Sequence, residues 1–172
     1  MKEENKNTQQ WLIDHKIKSI KTGWCEENLV IAWINLLQEA LKDPDNKYFA
    51  LLSGECIPLF DFEKTYKKIT ASKKSRLHVD YDAESYLSKG ILYADQWVVL
   101  NRKHAELLVK LKTTTEGKNF RKDLGKELCE DEYCYCPDEI FPVNWFSKKY
   151  GKPSTAKFKK EFRIEKTTYA YW

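Results

Sequence analysis

Two neighbouring carboxylates, Asp138 and Glu139, stand between a Cys-rich stretch and an amphipathic run that starts a helix. The dipole favours the charged form of a carboxylate in a helix's first turn and holds it ready to accept a proton. Asp138 reads first as the cap of this helix, which leaves Glu139 the better general-base candidate. The structural alternative is that both serve only the helix start. Asp80 and Asp82 have the spacing of a carboxylate pair that holds a divalent ion against a diphosphate. Asp43-Pro44-Asp45 repeats that spacing inside an evident helix stop, so the pair carries little weight and no metal is expected. Cys129, Cys134 and Cys136 lack paired C-x2-C knuckles and a nearby His, and read as buried thiols or one disulfide rather than a zinc site. His15, His78 and His104 are scattered, and His104, on a helix after a strand, reads as structural. There is no Ser/His/Asp ordering, glycine-rich phosphate loop or helical zinc motif.

The elements that must position Glu139 centre on Tyr48 to Leu52, an apolar run suited to a strand buried on both faces. It stops at Ser53-Gly54, a breaker pair that lets backbone approach a ligand at the strand's carboxyl end. Glu55 follows, and Asp61 reads as the N-cap of a helix whose inner face is Phe62, Tyr66 and Ile69. Upstream, Trp11 to Trp24 is compatible with a half-buried strand. Leu29, Trp33, Leu36, Leu37, Ala40 and Leu41 then mark a strong helix with Glu26 and Glu27 in its first turn. Downstream, Arg76 to Tyr81 alternates like a strand, with His78 on its less buried side. Tyr93 to Leu100 reads as a second strong strand, and Asn101 caps a helix with Leu107, Leu108 and Leu111 inward. Thr113 to Gly117 reads as a linker before a Lys-rich amphipathic segment. The helix begun at Asp138 tolerates Pro142 as a first-turn residue, and Thr167 to Trp172 reads as a last strand. Strands alternating with helices make this an α/β chain.

The chain has 172 residues, enough for one domain with its own core, residues 1–10 being expected to fray. Its 42% hydrophobic and 33% charged residues are those of an ordinary globular protein, and a net charge of only +4 gives no polyanion-binding stripe. Nucleic acid is therefore not an expected partner. No apolar run is long enough to span a membrane, and the first ten residues have no signal-peptide pattern, so a cytoplasmic location is expected. Five Cys, an odd number, argue against a closed disulfide framework and fit a reducing compartment.

Several stretches resemble the Core-2/I-branching N-acetylglucosaminyltransferase family, especially its plant-type branch. The matching residues run in family order. Gly23-Trp24, Leu29-Val30, Ala32, Leu36-Leu37 and Ala40 to Asp43 come first, then Phe49 to Leu59 (FALLSGECIPL) and Phe62. Gln96-Trp97, Leu100, Arg102 and His104-Ala105-Glu106 follow. Cys134-Tyr135, Pro137-Asp138-Glu139, Phe141-Pro142, Thr167-Thr168-Tyr169 and Trp172 close the series. The resemblance implies a glycosyltransferase-A type, Rossmann-like fold: a mixed sheet flanked by helices. It implies inverting transfer of a sugar, typically N-acetylglucosamine from its UDP donor, to a glycan or glycoconjugate hydroxyl. No metal or other cofactor is implied, and Glu139 takes the position of the family's general base. Ser53, Gly54 and Glu55 are implied at the cleft floor, with Gln96 and Trp97 lining the same side. Trp24 and Asp138 are further substrate-binding candidates.

The family pattern begins upstream of Met1, with a membrane anchor and a nucleotide-binding portion. It also continues past Trp172 into a segment whose Arg and Lys hold the diphosphate. The chain is thus expected to be either a fragment or a relative shortened at both ends; the second would need lysines between Asp61 and Lys74, or after Ser147, to neutralise the leaving group. The alternative reading is a non-catalytic relative that serves as a glycan-binding or scaffold module. Nothing in the residues indicates an oligomeric state.

Overall fold

The computed structural model describes residues 10, 13–54, 56–80, 90–130 and 133–167. Helix α1 (Glu27–Ala40) buries Val30, Trp33, Ile34 and Leu37 on one stripe, as its three- and four-residue spacing dictates. Leu36, expected inward, lies outside that stripe and is exposed. The turn that follows is locked from a distance. The Arg102 guanidinium donates to the carbonyls of Leu41 (2.6 Å), Asp43 (2.9 Å) and Asn46 (2.9 Å), satisfying groups that a helix end leaves open.

Strand β1 (Tyr48–Ala50) enters the sheet at its edge, half exposed rather than buried on both faces. Helix α2 (Phe62–Thr70) starts at Asp61, whose carboxylate accepts from the Lys64 amide at 2.7 Å, as expected of an N-cap. Its apolar side does not face the core. Phe62 is 82% exposed, Tyr66 is exposed too, and the helix has no fully buried residue. The next run does not form one strand. It bends at His78 into β2 (Ser75–Leu77) and β3 (Val79–Asp80), which join different sheets. The stretch from Tyr93 likewise divides into β4 (Tyr93–Ala94) and β5 (Val99–Asn101). The segment from Ile13 to Trp24 is a helical turn followed by irregular chain rather than a strand.

Asn101 caps helix α3 (Arg102–Thr113), accepting from the His104 amide at 3.0 Å, and Leu107, Leu108 and Leu111 face the core as expected. The expected linker is instead the start of helix α4 (Thr115–Lys126), with Thr114 as N-cap. Gly117 lets α4 approach α3: a Cβ there would lie 2.1 Å from the Lys110 carbonyl oxygen and 2.5 Å from Leu111 Cα. Strands β6 (Cys129–Glu130) and β7 (Tyr133–Cys134) form a small hairpin with Cys129 opposite Cys134. Helix α5 (Pro137–Tyr150) is the buried centre of the fold, followed by α6 (Ala156–Glu161) and β8 (Phe162–Ile164). Pro142 lies inside α5, beyond its first turn, at a cost of roughly 3 kcal/mol. Burial of Ile140, Phe141, Val143 and Phe146, each worth about 1.5–3 kcal/mol, outweighs it.

The main sheet has the order β1-β5-β2-β8, antiparallel except for the parallel β2–β8 pair. Helices flank it, so the architecture is α/β with a mixed sheet. Strands β3 and β4 pair separately, Val79 with Ala94 and Asp80 with Tyr93. Among the described residues no helix is long and apolar enough to cross a membrane.

Candidate active site

The first turn of α5 carries both carboxylates, but neither caps the helix. Cys136 is the N-cap and makes no side-chain cap bond, and Pro137 occupies the first turn. The reading of Asp138 as a cap is therefore corrected. Its side chain is buried, and Oδ1 has no hydrogen-bond partner. Burial pushes its carboxyl pKa up, and its own backbone amide partly offsets that. Glu139 is half-buried. Burial is the main cause that raises its pKa, and the negative charges of Asp138 and Asp95 add to it. A hydrogen bond from the Tyr93 hydroxyl works the other way, favouring the carboxylate.

These groups border one narrow crevice. Its walls include Trp33, Leu77, Val98, Pro142 and Phe146, and its polar lining is Asp95, Asp138 and Glu139. The His78 Nδ1 lies 3.3 Å from Asp95 Oδ2, and the Asp95 amide donates to the His78 carbonyl at 3.0 Å. The bend between β2 and β3 is thereby tied to the crevice rim. A half-buried carboxylate with a raised pKa and a phenolic donor is equipped to take a proton from a hydroxyl group.

The sequence candidates are not all brought together. Asp138 and Glu139 meet at the crevice. Gln96 and Trp97, both half-buried, lie in the loop between β4 and β5, whose flanking residues Asp95 and Val98 line it. The Trp97 carbonyl accepts from the Thr167 hydroxyl at 2.8 Å. Trp24 is 91% exposed, yet it is tethered to the same helix start, because the next residue, Cys25, forms a disulfide with Cys136. One disulfide is among the readings of the Cys129–Cys136 cluster, but Cys136 takes its partner from the distant Cys25; Cys56 is a free thiol. Ser53 and Gly54 are exposed and are not among the residues lining the crevice. Ser53 instead engages Cys56, its amide 3.3 Å from the sulfur. Glu55 and Asp82 lie outside the described residues, as do the expected last-strand residues 168–172.

Two features could be mistaken for chemistry. Ser75, His104 and Glu161 form a line, with Ser75 Oγ 2.7 Å from His104 Nδ1 and His104 Nε2 3.6 Å from Glu161 Oε2. Ser75 and His104 are wholly buried, and Ser75 Oγ already accepts from the Asn101 amide at 2.8 Å. A nucleophile must reach its substrate, so this is a structural line, as expected for His104. Some of the lysines expected to neutralise a leaving group are engaged elsewhere: Lys67 with Glu63, Lys148 with Glu116, and Lys64 over the Phe60 ring. Among the described residues, no group of three or more His, Cys, Asp or Glu is arranged to hold a metal ion.

Residues 2–90 match the model of the Core-2/I-branching enzyme family, more than half of the chain. The chain belongs to this family. The matched part of this Core-2/I-branching enzyme chain carries Trp24, Ser53, Gly54 and Glu55, and ends before Gln96, Trp97, Asp138 and Glu139. The chain is similar to glycosyltransferase BC10 of Oryza sativa subsp. japonica, 36% identical over 104 residues. That alignment covers 54% of this chain but only 26% of the rice protein, so the chain spans about a quarter of that relative's length. No solved structure matches it.

Sequence reasoning singled out Glu139 but neither Tyr93 nor Asn144. Local pattern marks Tyr93 only as the first residue of a strand. Asn144 bonds Leu92 across a separation of 52 residues, which no local pattern announces.

Proposed function

We propose that this chain acts as a metal-independent glycosyltransferase of the glycosyltransferase-A type. It would transfer a sugar with inversion, N-acetylglucosamine from its UDP donor being the first candidate, to an acceptor hydroxyl. The observation that carries the reading is Glu139: a half-buried carboxylate in the first turn of a buried helix, bordering a crevice. Its pKa is raised by burial, and a tyrosine hydroxyl steadies it. In the proposed step the acceptor O–H proton passes to the Glu139 carboxylate. The oxygen forms a bond to the anomeric carbon, and the carbon–oxygen bond to the diphosphate breaks from the opposite face. UDP departs with that electron pair. Gln96 and Trp97 would border the donor or acceptor sugar, an indole face suiting a sugar ring.

The test is transfer from UDP-N-acetylglucosamine to a panel of β-galactoside acceptors by parent and Glu139→Gln. The parent should transfer and the variant should lose about 10²–10⁴-fold while keeping its fold. Equal rates would remove Glu139 from the chemistry.

A second reading, glycan binding without transfer, draws support from the exposure of Trp24 and the narrowness of the crevice. It predicts calorimetric heat with free glycans and none with UDP or UDP-N-acetylglucosamine.

A further inference from the structure

Tyr93 meets Glu139 although the two lie on different elements, and the local strand pairing does not by itself fix that meeting. Strand β4 has two residues and, among the described residues, pairs only with the equally short β3. Leu92, just before it, is buried, so its backbone N–H and C=O need partners, and among the described residues no strand provides them. Asn144 supplies both. Its Oδ1 accepts from the Leu92 amide at 3.0 Å, and its Nδ2 donates to the Leu92 carbonyl at 2.8 Å. The second Nδ2 hydrogen goes to the Ile140 carbonyl, one helical turn back, at 2.7 Å. One side-chain amide thus stands in for a strand partner and uses both of its N–H donors and its carbonyl oxygen.

The two backbone groups it joins are telling. Leu92 directly precedes Tyr93, and Ile140 directly follows Glu139. We propose that Asn144 is a positioning residue: by clamping Leu92 to Ile140 it holds the Tyr93 hydroxyl against the Glu139 carboxylate. The inference rests on the reading of Glu139 as the base, but the clamp is a matter of geometry and is measurable without any sugar. Neither Asp nor Ser can replace the amide. Asp loses both donors and faces two carbonyl oxygens, and Ser is too short to span Leu92 and Ile140 together.

The experiment follows the Glu139 carboxyl by carbon-13 NMR, assigned with Glu139→Gln, in the parent, Tyr93→Phe, Asn144→Ala and Tyr93→Phe/Asn144→Ala. Tyr93→Phe removes a bond that favours the carboxylate, so the Glu139 midpoint should move up. Asn144→Ala should move it up comparably, and the double variant no further than either single. A midpoint unmoved by Asn144→Ala while the melting temperature falls would make Asn144 merely structural and overturn the proposal. So would an Asn144→Ala shift of the same size with and without the tyrosine hydroxyl. Should Asn144→Ala not fold, Asn144→Ser takes its place. Amide exchange at Leu92 in the parent decides independently, since exchange as fast as in an open loop refutes the clamp. Loss of transfer in every protein, with these shifts present, would sink the base reading and leave the clamp standing.

Discussion

Acidification should load this fold at His104. Its ring is wholly buried, stacked on Phe162 at 4.2 Å and close to Tyr150 and Phe146. Burial lowers its pKa from 6.5 to about 4, against the pull of Glu161. The Asn101 amide donates to Ser75 Oγ, so the serine hydroxyl is free to donate to Nδ1, which suits a neutral ring. The sign follows from proton uptake. Between pH 6.5 and about 4 the unfolded chain binds a proton that the folded chain refuses. The stability contribution is thus fully present above the unfolded value and is lost as pH falls toward the folded one. Its slope is about 1.4 kcal/mol per pH unit and its total about 3 kcal/mol. For a chain of this length that is about 6–12 °C in melting temperature. Asp138 and Glu139, whose pKa values are raised, contribute in the opposite sense, and Glu161, lowered mainly by its bond to Lys103, in the same sense. A difference between two proteins is therefore the clean measure. His104→Phe keeps the ring packing and removes the titration, but strands the Ser75 hydroxyl at a cost of about 1–2 kcal/mol at pH 8. Urea unfolding at steps from pH 8 to 4.5 should show that deficit shrinking and changing sign by about pH 4.5. Parallel stability curves would refute the reasoning.

Other outcomes are equally checkable. Tyr93→Phe should move the acid limb of kcat/KM to higher pH, because Glu139 loses a bond to its charged form; a limb unmoved or lowered would contradict this. Gly117→Ala should destabilise by about 1–3 kcal/mol in urea, since its methyl must displace the α3 backbone; a neutral result would mean that α4 rides higher than described. Non-reducing peptide mapping should recover a Cys25–Cys136 cross-link, and Cys25→Ser should cost about 2–4 kcal/mol of stability. Two free thiols at those positions would undo that assignment.

What was legible in the sequence was local. The stripe of α1, the caps Asp61 and Asn101 and the helical setting of Glu139 follow from spacing and side-chain chemistry within a few residues. The strands were not legible at their true lengths, because runs of two or three residues give no alternation to read. The apolar run from Tyr48 suggested a central strand, yet its partner on one side is β5 and on the other, among the described residues, it has none in the sheet. Phe62 and Tyr66 showed a helical stripe without a core to receive it, since periodicity says that a face is apolar but not what covers it. At the site, Glu139 could be singled out, but Tyr93, Asn144 and the Cys25 tether come from distant parts of the chain and only folding brings them there.

The strand order has a consequence for how the molecule is made. Strands β1 and β2 belong to the first ninety residues but never touch each other; β5 lies between them. Strand β3 likewise waits for β4. A nascent chain leaving the ribosome therefore carries these short strands with open edges until residues 93–101 emerge. The parallel contact with Phe162–Ile164 closes the β2 side last. A fragment cut after residue 90 should behave as a sticky, unsettled polymer.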